Sequence, residues 1–394
     1  MYASEFQQRL SGELESIREQ GLLKEERYLL GAQGVEIEVA SGKVLNFCSN
    51  DYLGLANHPE VITAAQRGMN MHGYGMASVR FICGTQEIHR ELELSLARLL
   101  GKPEAILFPS CFDANAAVFE VLLGAEDVVI ADRLVHASLI DGMRLCKAQQ
   151  DTYKNANMAH LRSKLEQWRG RARTMLVVSD GVFSMDGILA PVDKLAALCT
   201  EFGALLLIDD SHATGLIGAG GRGTHEHFGV LDCVDIVTTT LGKALGGASG
   251  GVAAGPAEVV ELLRNRARPY LFSNSVPPAV VHGALKAIEL VNSGVELRER
   301  LTETSRSFRE QMEAADFSIV PGETPIVPVM LGDARIAGEM ARRLLDEGIY
   351  VVGFSHPVVP LSKARIRVQL SAQHKPQHIE RCVTAFLKVR REMF

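Results

Sequence analysis

Between residues 104 and 240 the chain repeats one pattern that leaves few folds open: a short, continuously apolar run, a helical stretch, then another apolar run. EAILFP at 104–109, DVVIAD at 127–132, TMLVVSD at 174–180, ALLLIDD at 204–210 and VDIVTTT at 234–240 read as strands. Helical stretches fall at 113–123, around LRSKLEQW, and at 191–203. Strands without polar alternation are buried on both faces, and strand–helix repeats join such strands in parallel. The expected fold is therefore α/β, a mostly parallel sheet covered by helices on both sides.

The flanks read differently. EFQQRLSGELESIREQ places Phe6, Leu10, Leu14 and Ile17 on one helical stripe, and the alternation in EIEVASGKVLNF at 36–47 predicts a hairpin. A helix pattern covers 86–100. Beyond Pro277 and Pro278, helical stretches at 279–314 and 333–347 flank strands at 324–331 and 364–371. This divides the chain into an N-terminal segment, 1–49, a large domain, 50–279, and a smaller C-terminal α/β domain, 280–394.

Composition narrows the function classes. Lys plus Arg is 41 against 47 for Asp plus Glu, a formal charge of −6, which argues against a broad nucleic-acid surface. None of the seven cysteines forms a CxxC pair, so neither a disulfide framework nor a metal site is expected. The start lacks a basic stretch followed by an apolar one, and the longest aliphatic runs fall short of the ~20 residues of a membrane span. The expectation is a soluble, cytoplasmic protein with no membrane partner.

Two glycine patterns mislead. Gly218, Gly220 and Gly223 fit GxGxxG, but SHATGLI separates them from the preceding strand, where a dinucleotide fingerprint would follow it directly. Gly247, Ser249 and Gly251 fit GxSxG without the strand that a nucleophile elbow requires immediately before the serine. Both read as turns.

The informative residues stand where strands end, because ligands of open α/β sheets bind outside the carboxyl ends of the strands. ALLLI runs into Asp209-Asp210-Ser211-His212, VDIVTTT into Leu241-Gly242-Lys243, and TMLVVS into Asp180-Gly181-Val182-Phe183-Ser184. An amine, carboxylates, a histidine and hydroxyls at successive strand ends suit an anionic cofactor with a basic nitrogen. Pyridoxal 5'-phosphate (PLP) makes these demands: a lysine for its aldehyde, an acid for its ring nitrogen, and helix-start amides for its phosphate. Ser110-Cys111-Phe112, between a strand and a helix, can supply the amides, and the His136 ring can cover the cofactor's face. Position alone leaves open which of Asp209 and Asp210 is the acid.

The chain resembles the α-oxoamine synthases, PLP-dependent transferases of fold type I, the aspartate-aminotransferase-like fold. The resemblance rests on SNDYLGLANHP at 49–59, RFICGTQEIHRELE at 80–93, SCFDAN at 110–115 and HASLIDGMRLCKA at 136–148. It continues through DGVFSMDG at 180–187, DDSHATG at 209–215, TLGKALGGASGG at 240–251, RPYLFSNSVPPA at 268–279 and ARIRVQLSAQH at 364–374. By this resemblance Lys243 is the Schiff-base lysine, Asp209 the acid beside the pyridine nitrogen, and His136 the ring stacked on PLP. His212 lies near the cofactor's phenolic oxygen, Ser184 near the cofactor, and Thr240 contacts the phosphate together with the amides of Cys111 and Phe112.

The resemblance further implies a homodimer with shared sites, in which Ser273 and Asn274 reach the partner's cofactor. Asn50 becomes a substrate contact. Arg365 and Arg367 alternate onto one face of their strand, and the resemblance selects Arg367 to hold the amino acid's carboxylate. The implied reaction joins glycine and acetyl-CoA into 2-amino-3-oxobutanoate and CoA, reversibly, in threonine breakdown. Another α-oxoamine synthase, such as an 8-amino-7-oxononanoate synthase, is the alternative.

Overall fold

The computed structural model describes residues 4–24 and 26–394, so residues 1–3 and 25 of the N-terminal segment lie outside the described residues. Two compact units emerge, one of Asn50–Ser184 with Ile188–Arg300, the other of Met1–Ser49, Met185–Gly187 and Leu301–Phe394.

The first unit holds a seven-stranded sheet in the order Glu104–Phe108, Gly251–Gly255, Ile236–Thr240, Leu205–Asp209, Met175–Asp180, Val128–Asp132, Gln149–Tyr153. Only Gly251–Gly255 runs against the others. Ile106, Phe108, Val129, Leu176, Val178 and Leu207 pack with Ala114, Ala117, Val118 and Phe119 of the helix Cys111–Leu122 in one core. The three central strands pair Thr238 with Asp209 and Asp209 with Asp180, so Asp209 and Asp180 end their strands on one rung while Ile236–Thr240 runs two residues further.

Two strands escape the apolar-run reading. Gln149–Tyr153 is polar because it is a sheet edge, with Tyr153 as its one buried residue. Gly251–Gly255, GVAAG, lacks the branched residues that announce a strand. Its small size is dictated locally: a Cβ on Gly251 would stand 2.1 Å from the Cys111 nitrogen. Likewise the expected 279–314 helix is two helices, Pro278–Ser293 and Val295–Ala314, separated at Gly294.

In the second unit the predicted hairpin forms, Glu36–Val39 with Gly42–Asn46, and Ile349–Tyr350 joins it in parallel. The amphipathic helix Ser4–Glu19 is present and buries none of its residues within the chain. The strand Ala364–Gln369 lies between Ile326–Gly332 and Gly353–Phe354, antiparallel to both. His374 stacks on Phe47 with ring centroids 4.2 Å apart and planes 5° from parallel.

Candidate active site

At the carboxyl edge of the seven-stranded sheet a cavity of about 220 Å³ is lined by Cys111, Phe112, His136, Asp209, His212, Thr240 and Lys243, together with Ser110, Ser138, Asp180, Val182 and Ser211. Seven residues selected from sequence thus meet in one pocket.

Each is held by its local structure. Strand alternation sends Asp209 and Asp210 to opposite sides. Asp209 accepts hydrogen bonds from Asn115 Nδ2 at 2.7 Å and the Ser211 amide at 3.0 Å. Asp210 instead accepts from the Thr224 amide and hydroxyl at 2.8 and 2.7 Å, fixing a loop. That loop fits closely: a Cβ on Gly223 would lie 1.7 Å from Asp210. The GxGxxG glycines therefore serve this loop, and Ser249 of GxSxG donates to the Pro109 carbonyl at 2.7 Å. The first pattern is turn chemistry, and the second runs through a turn into the strand that begins at Gly251.

His136 caps the helix Ala137–Leu145, its Nδ1 2.7 Å from Ser138 Oγ, while its amide donates to Asp180 Oδ1 at 3.0 Å. Burial holds the His136 imidazole below its ordinary pKa, with Asp209 opposing and Lys243 reinforcing the shift. It is a neutral ring at pH 7. Burial also drives the Asp180 carboxyl well above the usual carboxylate range, and the neighbouring Asp209 charge pushes the same way. His212 is oriented by the Tyr52 hydroxyl, 2.8 Å from Nδ1. The Cys111 thiol is pushed far up by burial, so it stays neutral.

The helix Cys111–Leu122 points its start at the pocket, with Ser110 Oγ accepting from the Asp113 amide at 3.1 Å. The first amides of a helix lack intrahelical partners and attract anions. Thr240 Oγ1 accepts from the Gly242 amide at 3.0 Å, shaping the turn that carries Lys243.

The donor set fits PLP: an amine, a carboxylate, a flat neutral ring and an anion-seeking helix start in one pocket, with Gly251 packed so closely against that helix start that a Cβ would meet the Cys111 nitrogen. The remaining candidates lie elsewhere. Ser184 follows the short strand Val182–Phe183, and Asn50 opens the same unit, 3.5 Å from the Tyr52 hydroxyl. Ser273 and Asn274 do not line this cavity; Asn274 is exposed and bridges Val79. Arg367 belongs to the other unit, its guanidinium 4.8 Å over the Phe354 ring. Sequence reasoning missed Asn115, although its position four residues after Cys111 puts both on one helix face.

A strand-end lysine and carboxylate on this sheet define the PLP-dependent enzymes of fold type I. The chain belongs to the aminotransferase class I and II family, which it matches over residues 42–386, and within it to the α-oxoamine synthases, PLP-dependent enzymes of Claisen-type condensation. It is 55% identical over 391 residues to the 2-amino-3-ketobutyrate coenzyme A ligase of Escherichia coli K12, covering 99% of this chain and 98% of that one. The 8-amino-7-oxononanoate synthase of Geobacter sulfurreducens is 45% identical over 386 residues, with 98% of each chain covered. Among solved structures, the Sphingomonas wittichii serine palmitoyltransferase superposes with a TM-score of 0.93 at 28% identity, covering 99% of this chain and 98% of that one.

Proposed function

We propose that the protein condenses glycine with acetyl-CoA to 2-amino-3-oxobutanoate and CoA, reversibly, as a glycine C-acetyltransferase in threonine breakdown to glycine. The observation that carries this reading is the 55% identity to a 2-amino-3-ketobutyrate coenzyme A ligase across 99% of the chain. It stands well above the 28% shared with serine palmitoyltransferase, whose likeness is one of fold. The 45% identity to an 8-amino-7-oxononanoate synthase favours that activity as the second reading.

In this reading Lys243 anchors PLP, the Cys111 and Phe112 amides with Thr240 hold its phosphate, and His136 covers its ring. Bound PLP supplies an electron sink conjugated to the amino acid's α-carbon. The Asp209 carboxylate, held by Asn115 and the Ser211 amide, keeps the pyridine nitrogen protonated. His212 and Ser184 contact the cofactor and Asn50 the substrate. Arg367 grips the glycine carboxylate with its planar fork and so orients the α-hydrogen. Lys243 Nζ would take up that proton, and transfer of the acetyl group to the α-carbon would break its thioester bond and release CoA.

The test is thiol release. PLP-reconstituted protein should liberate CoA from acetyl-CoA only when glycine is present. Amino-group transfer from glycine to a keto acid without CoA release would overturn the proposal in favour of an aminotransferase.

A further inference from the structure

Arg365 and Arg367 share one face of the strand Ala364–Gln369 but are held differently. The Arg365 side chain is 3% exposed. Its Nη1 donates to Asp186 Oδ1 at 2.5 Å and to the Met185 carbonyl at 2.9 Å, while its Nε donates to the Lys363 carbonyl at 3.0 Å. The carboxylate of Asp186 is itself only 23% exposed. A guanidinium this buried would be left uncompensated without its carboxylate, unlike the partners of a surface pair.

The other end of the Met185–Gly187 segment is equally fixed. Thr324 Oγ1 donates to the Gly187 carbonyl at 2.7 Å. Gly187 has φ +66°, and a Cβ there would stand 2.2 Å from the Ile326 carbonyl, so both conformation and space require glycine. Arg309, buried, donates to the carbonyls of Val320, Thr324 and Ile326. Three consecutive residues are thus fastened to the strand Ala364–Gln369 and to Thr324, just before the strand Ile326–Gly332.

The ladder shows why such fastening matters. Ile326–Gly332 pairs Pro328 with Arg367 and Met330 with Arg365, then shifts register between Met330 and Gly332. A bulge interrupts the ladder locally, and a one-residue slip turns every side chain to the other face. The Arg365–Asp186 pair sits at the last regular rung before that shift.

We propose that Asp186 is a positioning residue for the substrate carboxylate: by pinning Arg365 it fixes the register of the strand and hence the face on which Arg367 stands. This rests on the reading of Arg367 as the carboxylate's partner.

Asp186→Asn should raise the glycine KM about tenfold, leave kcat and the acetyl-CoA KM within about twofold, and lower Tm. The double variant Asp186→Asn/Arg365→Met removes the buried charge together with its partner, which restores Tm. The glycine KM should stay raised, because the pin is still missing. Return of the glycine KM to the parent value along with Tm, or an unchanged KM in Asp186→Asn, would overturn the proposal. Arg367→Lys, measured alongside, separates the two readings. An unaltered glycine KM in that variant defeats the carboxylate assignment itself. A raised KM there with a normal one in Asp186→Asn defeats the pin alone.

Discussion

Asp209 and Asp180 end neighbouring strands and face the same pocket, yet their surroundings set them apart. Asp209 is held by two hydrogen bonds, and the proposed electron sink depends on its charge. Asp209→Asn should therefore retain PLP but slow exchange of the glycine α-proton with deuterated water by roughly a hundredfold. NMR exchange at the parent rate would remove Asp209 from this role. Asp180 is raised, so the folded protein keeps its proton at pH values where the unfolded chain has lost it. Above the ordinary value of 3.8 the native state binds more protons, and stability falls as pH rises toward the folded value. Asp180→Asn keeps an acceptor for the His136 amide and should cancel this fall. The gap between variant and parent in urea unfolding should widen with pH, by up to about 1.4 kcal/mol per unit. Parallel curves would contradict it.

The parallel strands and the residues at their ends were legible in the sequence because unbroken apolar runs have one common use, a doubly covered sheet. Gly251–Gly255 was not, since its small residues answer to a backbone approach that only the fold reveals. Asn115 was hidden for a related reason: a mid-helix amide says nothing until its helix is set against Asp209. The choice between Asp209 and Asp210 rested on the resemblance; in the structure Asp209 lines the cavity and Asp210 binds Thr224. At this scale Gly251→Ala should push the helix start out of place and weaken PLP binding at least about tenfold by absorbance titration. Unchanged affinity would mean that the close approach has no bearing on the phosphate site. His374 offers a second test in the other unit. Burial lowers its pKa to about 3, with Nδ1 accepting the Ser371 amide at 2.9 Å. Below the ordinary 6.5 the unfolded chain takes up a proton that the folded chain refuses, so stability drops as pH falls toward 3. His374→Gln should lose about 1.4 kcal/mol less per pH unit across that window than the parent. Equal slopes would show that the ring titrates freely.

For the whole molecule, Phe81, Ile82 and Phe272 are exposed at 63, 68 and 69% in the single chain, on either side of the Val79–Asn274 bridge. Apolar exposure around Ser273 and Asn274 supports the proposal of a homodimer whose sites are shared. If so, an inactive Lys243→Ala chain mixed with an inactive Ser273→Ala/Asn274→Ala chain should regain activity, because one composite site in each heterodimer is intact. Confirmed heterodimers without activity would contradict sharing. The central claim concerns substrates, and it is tested most directly by kcat/KM for glycine-dependent CoA release across acyl-CoAs of increasing chain length. The account predicts a maximum at acetyl-CoA, with 2-amino-3-oxobutanoate as the product. A maximum at a long-chain acyl-CoA, or with alanine or serine in place of glycine, would contradict it.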